Sequence, residues 1–397
     1  MPSTLNEDKR LERPAYWSGV FAMALCVFAL IASEFMPVSL LTTIAQDLHI
    51  TEGLAGQGIT VSGVFAVITS LTISYLAKGI DRKHLLLGLT AIMAISGLIV
   101  SLAQSYTMYM IGRAFIGMVI GGFWSLSVAI AMRLVPESDV PRALAIFNGG
   151  NALAMVVAAP LGSYLGAIIG WRGAFFCLVP IAVLTWVWQF FSLPSMPQKI
   201  SQKKAVKQPS IISLFRSSIV TVGMLSVSLF FMGQFALYTY VRPFLETVTR
   251  VDVSKLSLIL LGIGVMGLMG TSVVNIFLKS KFYTTLIMIP IIMATIALAL
   301  IFFGIQQVAV AILLGLWGFL ATASPVGWWS WLARTLPDDA ELGGGLMVAV
   351  IQLAIALGST IGGILFDYSG YQLAFAVSAI ILTMSSILTA YLVKKTK

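Results

Sequence analysis

Residues 16–45 read YWSGVFAMALCVFALIASEFMPVSLLTTIA, an unbroken apolar run whose one charged side chain is Glu34. A helix needs about 20 mainly apolar residues to cross the hydrocarbon of a bilayer. A charge at that depth costs at least roughly 2.5–3.5 kcal/mol. The run is therefore long enough to span a membrane, and the carboxylate near its middle is costly enough to imply a task. Working outward, runs of the same kind recur at 54–77, 85–104, 107–134, 143–168 and 172–193, then at 217–247, 254–278, 283–304, 308–334, 343–366 and 372–393. The chain of 397 residues is 59% hydrophobic and 10% charged, where a soluble domain carries about 25% charged residues. Long continuous runs, rather than short alternating strands, argue against a barrel. The fold expected is an all-α membrane protein with twelve transmembrane helices in two pseudo-symmetric six-helix bundles.

The organisation expected is a cytoplasmic tail over 1–15, a first bundle over 16–193, a linker over 194–216, a second bundle over 217–393 and a basic tail over 394–397. The linker holds Lys199, Lys203, Lys204 and Lys207, with Pro, Ser and Gln. With both termini cytoplasmic, nineteen of the 24 basic residues fall in inner segments, while Arg172, Arg242, Arg250 and Lys255 fall in outer ones and Arg113 lies inside a span. That bias follows the positive-inside rule and accounts for the net charge of +9 without a nucleic-acid partner. The location expected is a bacterial inner membrane, multi-pass, as a monomer in the lipid bilayer.

The halves repeat. Gly117 pairs with Gly318 at a separation of 201, which also carries Arg133 and Pro136 onto Arg334 and Pro337, and Glu137 onto Asp338. Leu161-Gly162-Ser163 matches Leu357-Gly358-Ser359, Gly170-Trp171-Arg172 matches Gly370-Tyr371-Gln372, and Glu34-Phe35 matches Gln234-Phe235. A repeat of this length points to two bundles related by an axis along the membrane normal, with a solute site between them. On this alignment Gln234 stands where Glu34 does and Leu314 where Arg113 does, so the second half carries neither charge.

Three motifs carry a family resemblance. The loop from Ser74 through Lys78 and Asp81 to Arg82 and Lys83 resembles the signature loop of the major facilitator superfamily, with Ser74, Lys78 and Asp81 departing from it. The fourth run, from Arg113 through Gly117, Gly121 and Gly122 to Trp124, resembles that family's arginine motif linked to proton coupling. The fifth, Ala159-Pro160-Leu161-Gly162, resembles its antiporter motif, in which small residues and proline allow close packing and bending. The chain is thus similar to the drug-and-metabolite proton antiporters of that superfamily. Glu34-Phe-Met-Pro37, Gln234-Phe-Ala-Leu-Tyr238 with Tyr240, and Pro325-Val-Gly-Trp328 resemble bacterial purine ribonucleoside efflux pumps most. The resemblance implies efflux of inosine- or guanosine-like solutes against protons. A sugar or multidrug exporter is the alternative within the class.

At 1.5 Å per residue, Glu34 lies about 21 Å along a helix begun at Val20 and Arg113 about 8 Å from Met108, at comparable depth. If Arg113 meets the carboxylate in one state only, Glu34 takes up a proton in one state and releases it in the other. Polar and aromatic residues expected at the solute are Gln234, Tyr238, Asn148, Asn151, Trp124, Gln352 and Trp328. The motif positions expected to latch or bend are Arg82, Lys83, Pro160 and Gly162. Asp367 reads as a loop-edge residue at the end of the eleventh run. Cys26 and Cys177 are isolated fillers, and His49 and His84 lie in loops without ligand-forming neighbours. The partners expected are a small molecule and protons, with no metal and no cofactor. No Gly-x-x-x-x-Gly-Lys-Ser/Thr or Gly-x-Ser-x-Gly occurs, which disfavours an ATP-driven pump and an enzyme.

Overall fold

The computed structural model describes residues 15–77, 79–136, 139–197, 214–336 and 340–396. The tail before residue 15, Lys78, Glu137, Pro337 and Asp338, the four linker lysines and Lys397 lie outside them. The described helices are α1 (Trp17–Leu48), α2 (Glu52–Leu76), α3 (Arg82–Ser101), α4 (Tyr106–Leu134), α5 (Val140–Phe176) and α6 (Leu178–Ser192) in the first half. The second half has α7 (Ser218–Tyr238), α8 (Val241–Thr247), α9 (Val253–Phe303), α10 (Gln307–Thr335) and α11 (Ala340–Thr396).

Nine continuous helical stretches among the described residues are long and apolar enough to cross a membrane. Three of them run for 51, 51 and 54 residues. A straight helix of 51 residues would be about 77 Å long, more than twice the hydrocarbon thickness. Each of the three leaves helical geometry once, at Gly170 in α5, at Lys281 in α9 and at Gly370 in α11. Each is therefore long enough to cross twice, which gives twelve membrane-length segments among the described residues. The fifth span is α5 up to Gly170, and α6 with the end of α5 forms the sixth. Together α7 and α8 make the seventh. Lys281 divides α9 into the eighth and ninth, α10 is the tenth, and Gly370 divides α11 into the eleventh and twelfth.

Local chemistry explains the boundaries. Gly170 and Gly370 hold φ of 74° and 75°, a left-handed conformation that glycine adopts without a Cβ clash. They are the first residues of the repeated Gly-Trp-Arg and Gly-Tyr-Gln triplets, so the repeat reappears as geometry. The third helix begins at Arg82, earlier than 85, because the Asp81 side chain accepts from the Lys83 N–H and caps it. The seventh span is interrupted at Thr239 and Tyr240, where one helix was expected. Pro243 has no N–H to offer the carbonyl four residues back, at Thr239.

Buried apolar residues form one core in the second half, joined by Val38, Ile59 and Ala159 of the first, and two cores in the first half, one of them receiving Tyr240 of the second. The two halves thus meet through interlocked side chains as well as backbone.

Helix contacts move one repeat pairing by a turn. A Cβ on Gly162 would meet Met36 and Ser39, and one on its counterpart Gly358 would meet the Met232 carbonyl. Met36 thus corresponds to Met232, which sets Phe230 at the station of Glu34 and Gln234 at that of Val38. The match of Glu34-Phe35 to Gln234-Phe235 is a likeness of residue types; the packing register differs by four residues. Leu314 keeps the station of Arg113, because Gly117 abuts the Ser62 carbonyl as Gly318 abuts that of Ile263, 201 residues on.

Candidate functional site

Glu34 is 4% exposed and lies midway along α1. Its Oε1 accepts a hydrogen bond from Gln352 Nε2 of the eleventh span at 3.1 Å, so the carboxylate is held from the opposite half. Arg113, 1% exposed, approaches Glu34 from α4 but binds backbone. Its Nη1 donates to the Ser33 carbonyl at 2.7 Å, Nη2 to the Glu34 carbonyl at 3.1 Å and to Ser62 Oγ at 3.2 Å, and Nε to the Gly58 carbonyl at 3.1 Å. Among the described residues no salt bridge joins Arg113 to a carboxylate. The guanidinium therefore stitches α1, α2 and α4 together while leaving the carboxylate to Gln352.

The local sequence prepares this arrangement. Pro37 lies inside α1 and lacks the N–H that would have paired with Ser33, four residues earlier. Arg113 fills that vacant carbonyl. In a membrane interior each such carbonyl needs a partner, so the proline and the arginine complete one another.

Phe35 of α1 stacks on Phe235 of α7, with ring centroids 5.7 Å apart, and Tyr238 meets Phe235 edge-on. Gln234, beside Phe235, is 9% exposed and its Oε1 has no hydrogen-bond partner among the described residues; the same holds for Gln352 Oε1. The structure thus gathers Glu34, Arg113 and Gln352, with Gln234 and Tyr238 on the helix that Phe35 touches. Other expected residues lie elsewhere. Trp328 is 1% exposed, in the second-half core edge-on to Trp331. Trp124 is half-buried against Phe123 of its own helix. Asn148 is exposed and donates to the Leu144 carbonyl one turn back. Asn151 and Pro160 are half-buried on the same span, and Gly162 packs on α1.

From Glu34 to the face remote from the termini, polar contacts between the halves continue. Thr60 bonds Thr360 at 2.9 Å and donates to the Ala356 carbonyl; Thr360 also reaches Gln57. At the end, Asp367 accepts from Thr51 Oγ1 at 2.6 Å and from the Gly53 N–H at 2.9 Å. Asp367 is therefore no loop-edge bystander: it caps α2 from the opposite half. Arg242, expected in an outer segment, is 2% exposed. It donates to the Ser39 carbonyl of α1 and pairs with Glu246 at 2.8 Å. Tyr240 donates to the Ser359 carbonyl, and its hydroxyl lies where a Cβ on Gly56 or Gly363 would have to be. These residues close the remote face. Nothing in one-dimensional spacing ties 51 to 367 or 56 to 240; the one legible signal was glycine at 53, 56 and 363.

On the termini side the motif loop fastens within the first half. Asp81 accepts from Ser195 Oγ and the Met196 N–H as well as from Lys83 N. Partial burial works to raise the Asp81 carboxyl, but these hydrogen bonds and nearby His84 outweigh it and hold it below the usual aspartate range. Lys83 lies 5.5 Å over the Phe190 ring, and the Arg82 N–H donates to the Met196 carbonyl. Asp81, one of the three residues that depart from the signature, does the fastening.

Two helical halves that enclose one buried carboxylate among the described residues and are closed on one face fit a membrane carrier rather than an enzyme. The chain belongs to the Major Facilitator Superfamily, whose sequence model matches residues 23–341. It is 58% identical over 386 residues to a Pseudomonas aeruginosa protein named transcription regulatory protein OpdE, covering 97% of this chain and 96% of that one. It is 40% identical over 380 residues to the purine ribonucleoside efflux pump NepI of Salmonella enteritidis, covering 96% and 95%. A crystal structure of a point mutant of the nucleoside transporter NupG shares the fold with a TM-score of 0.77 at 12% identity, over 94% of this chain and 98% of that one. The human organic anion transporter MFSD10 does so with a TM-score of 0.67 at 16% identity, over 95% and 100%.

Proposed function

We propose that this protein exports purine ribonucleosides such as inosine and guanosine across the bacterial inner membrane in exchange for protons, by alternating access. The observation that carries the reading is Glu34: a mid-membrane carboxylate in a family of carriers, bonded to the opposite half and, among the described residues, in no salt bridge. The full-length likeness to NepI supports the solute class. With both termini cytoplasmic, as the charge bias favours, the closed remote face is periplasmic and the conformation is inward-facing. Residues 16–193 and 217–393 then act as the two rocking bodies, and no cofactor beyond the proton gradient is needed.

The coupling step belongs to Glu34. In this conformation Arg113 is committed to backbone carbonyls. Separating the halves removes Gln352 from the carboxylate and leaves Arg113 as its nearest charge. The carboxylate thus meets different partners in the two states, and its proton occupancy differs between them. The name of the relative OpdE suggests a regulatory role. A membrane-embedded carrier alters transcription through the solute it moves, so that reading is compatible with transport.

Everted vesicles with an imposed proton gradient test the proposal, offered inosine, guanosine, arabinose and a cationic drug in parallel. Inosine and guanosine accumulate, and Glu34→Gln abolishes proton-driven uptake while the protein stays in the membrane. Accumulation of only the sugar or only the drug overturns the solute assignment, and normal antiport by Glu34→Gln overturns the coupling.

A further inference from the structure

Gln352 is the side chain through which the two halves meet at Glu34, and its amide is half used. Nε2 donates to the carboxylate at 3.1 Å, while Oε1, buried within a residue 6% exposed, has no partner among the described residues. An ionised carboxylate can only accept hydrogen bonds, whereas a protonated one also offers an O–H donor; a primary amide offers donors at one end and an acceptor at the other. An ionised Glu34 can take only the Nε2 end of the Gln352 amide, whereas a protonated Glu34 can also take the Oε1 end.

We propose that Gln352 transmits the proton on Glu34 to the transported solute by reversing the hydrogen-bonding end it presents. With Glu34 ionised, Nε2 faces the carboxylate and Oε1 is left for an O–H or N–H of the solute. A proton taken up from water stays on a Glu34 oxygen as O–H. After a half-turn of the amide that O–H donates to Oε1, and the solute meets an NH₂ group where it had an acceptor. Proton and solute thus compete for one oxygen, which is the linkage an exchanger requires. The solute class this selects is a neutral molecule bearing hydroxyl or ring N–H donors. The inference rests on the proton-coupled reading above.

The surroundings leave Gln352 in this position. On α4, Arg113 is bound to backbone carbonyls and Ser62, and the Tyr109 hydroxyl faces the Ala55 carbonyl. On the seventh span, Tyr240 is bound to the Ser359 carbonyl and Tyr238 packs on Phe235. Asp367 is fifteen residues further along the eleventh span, about 22 Å away. Neither α2 from Gly53 to Leu76 nor the fifth span from Ala143 onward carries a charge.

The test is inosine binding to the purified full-length protein across pH, beside the infrared carboxylic C=O band of Glu34 without solute. In the unsubstituted protein the inosine Kd rises by about tenfold per pH unit on the acid side, as competition demands. Gln352→Met, close in volume, weakens binding at high pH by roughly five- to tenfold, the worth of one hydrogen bond, and flattens the pH slope. It also shifts the C=O band, because the acid has lost its amide acceptor. Gln352→Ala gives the same two results if the methionine variant is poorly folded. A wild-type slope together with an unmoved band in the folded variants overturns the proposal. If Glu34→Gln itself keeps the wild-type slope, the proton-coupled reading falls instead; if inosine does not bind at all, the solute assignment falls, and the band alone decides the role of Gln352.

Discussion

Two seams join the halves, and the repeat makes them counterparts. In one, a Cβ on Gly63 of α2 would come within 2.8 Å of the Gln352 carbonyl; in the other, a Cβ on Gly264 of the eighth span would come within 2.6 Å of Val156 Cα of the fifth. Gly63 and Gly264 are 201 residues apart, and Val156 and Gln352 are 196 apart, the separations of the helix repeat. The backbones approach equally closely, yet the chemistry differs. The α2 seam carries Thr60 with Thr360, Gln57 with Thr360, and Thr51 and Gly53 with Asp367. Across the Gly264 seam no hydrogen bond passes among the described residues. The helix ends differ in one added partner: both helices carry their own cap, Thr51 accepting from Leu54 N and Asp252 from Lys255 N, but α2 also receives Asp367 from the other half. Duplication supplied two closing surfaces, and only one acquired groups that titrate or bond directionally. Directional and titratable contacts between the halves are therefore expected to act at the α2 seam, and closure at the Gly264 seam is expected to be indifferent to pH.

The strongest test of that division is Gly264→Leu. Its side chain meets the Val156 backbone, which cannot rotate away, so a loss of at least about 2 kcal/mol is expected, seen as a lower thermal midpoint in detergent and unchanged between pH 6 and 8. A pH-dependent loss would place titrating chemistry on the wrong seam. Next is Asp367→Ala, which removes a cap from the opposite half worth about 1–2 kcal/mol and shifts the balance toward remote-face opening by roughly five- to thirtyfold. Faster thiol labelling of Ala55→Cys, a position buried in the core that receives Tyr240 of the other half, with Cys26 and Cys177 replaced by alanine, reports it; an unchanged rate means that Asp367 does not hold the face shut. Thr360→Val should act in the same direction but by about 1 kcal/mol, the worth of the bonds to Thr60 and Gln57. Smallest of all is Asp252→Ala, which frays the start of the eighth span and leaves both labelling rate and thermal midpoint unchanged. If it matches Asp367→Ala, the two seams are not chemically distinct.

Reading along the chain was reliable wherever one helix decides the matter. The apolar runs, Glu34 within the first of them, and the glycines that begin the two repeated triplets are properties of consecutive residues, and the helices formed where the runs are. Reading failed where two helices decide. Trp328 reads along the chain as an aromatic within a span that could meet a solute, but helix rotation turns it onto Trp331. Arg242 resembled a loop cation, because nothing near it in sequence announces that it reaches Ser39. Gln234 resembled a counterpart of Glu34 by residue type, and only the Gly162 and Gly358 contacts moved it by a turn.

The sequence alone pointed to a membrane protein of twelve apolar spans with a carboxylate at mid-depth in the first, since hydropathy and the cost of burying charge are local quantities summed over twenty residues. It also held, unread, the rule that Pro37 leaves the Ser33 carbonyl vacant. What took that vacancy, and what took the Glu34 carboxylate, were decided only in three dimensions. In this conformation Arg113 bonds the backbone carbonyls of Ser33 and Glu34 while Gln352 holds the acid. A hydrogen bond is made at about 3 Å, and a partner 318 residues away arrives there only when two helices from different halves pack at one rotation and one depth.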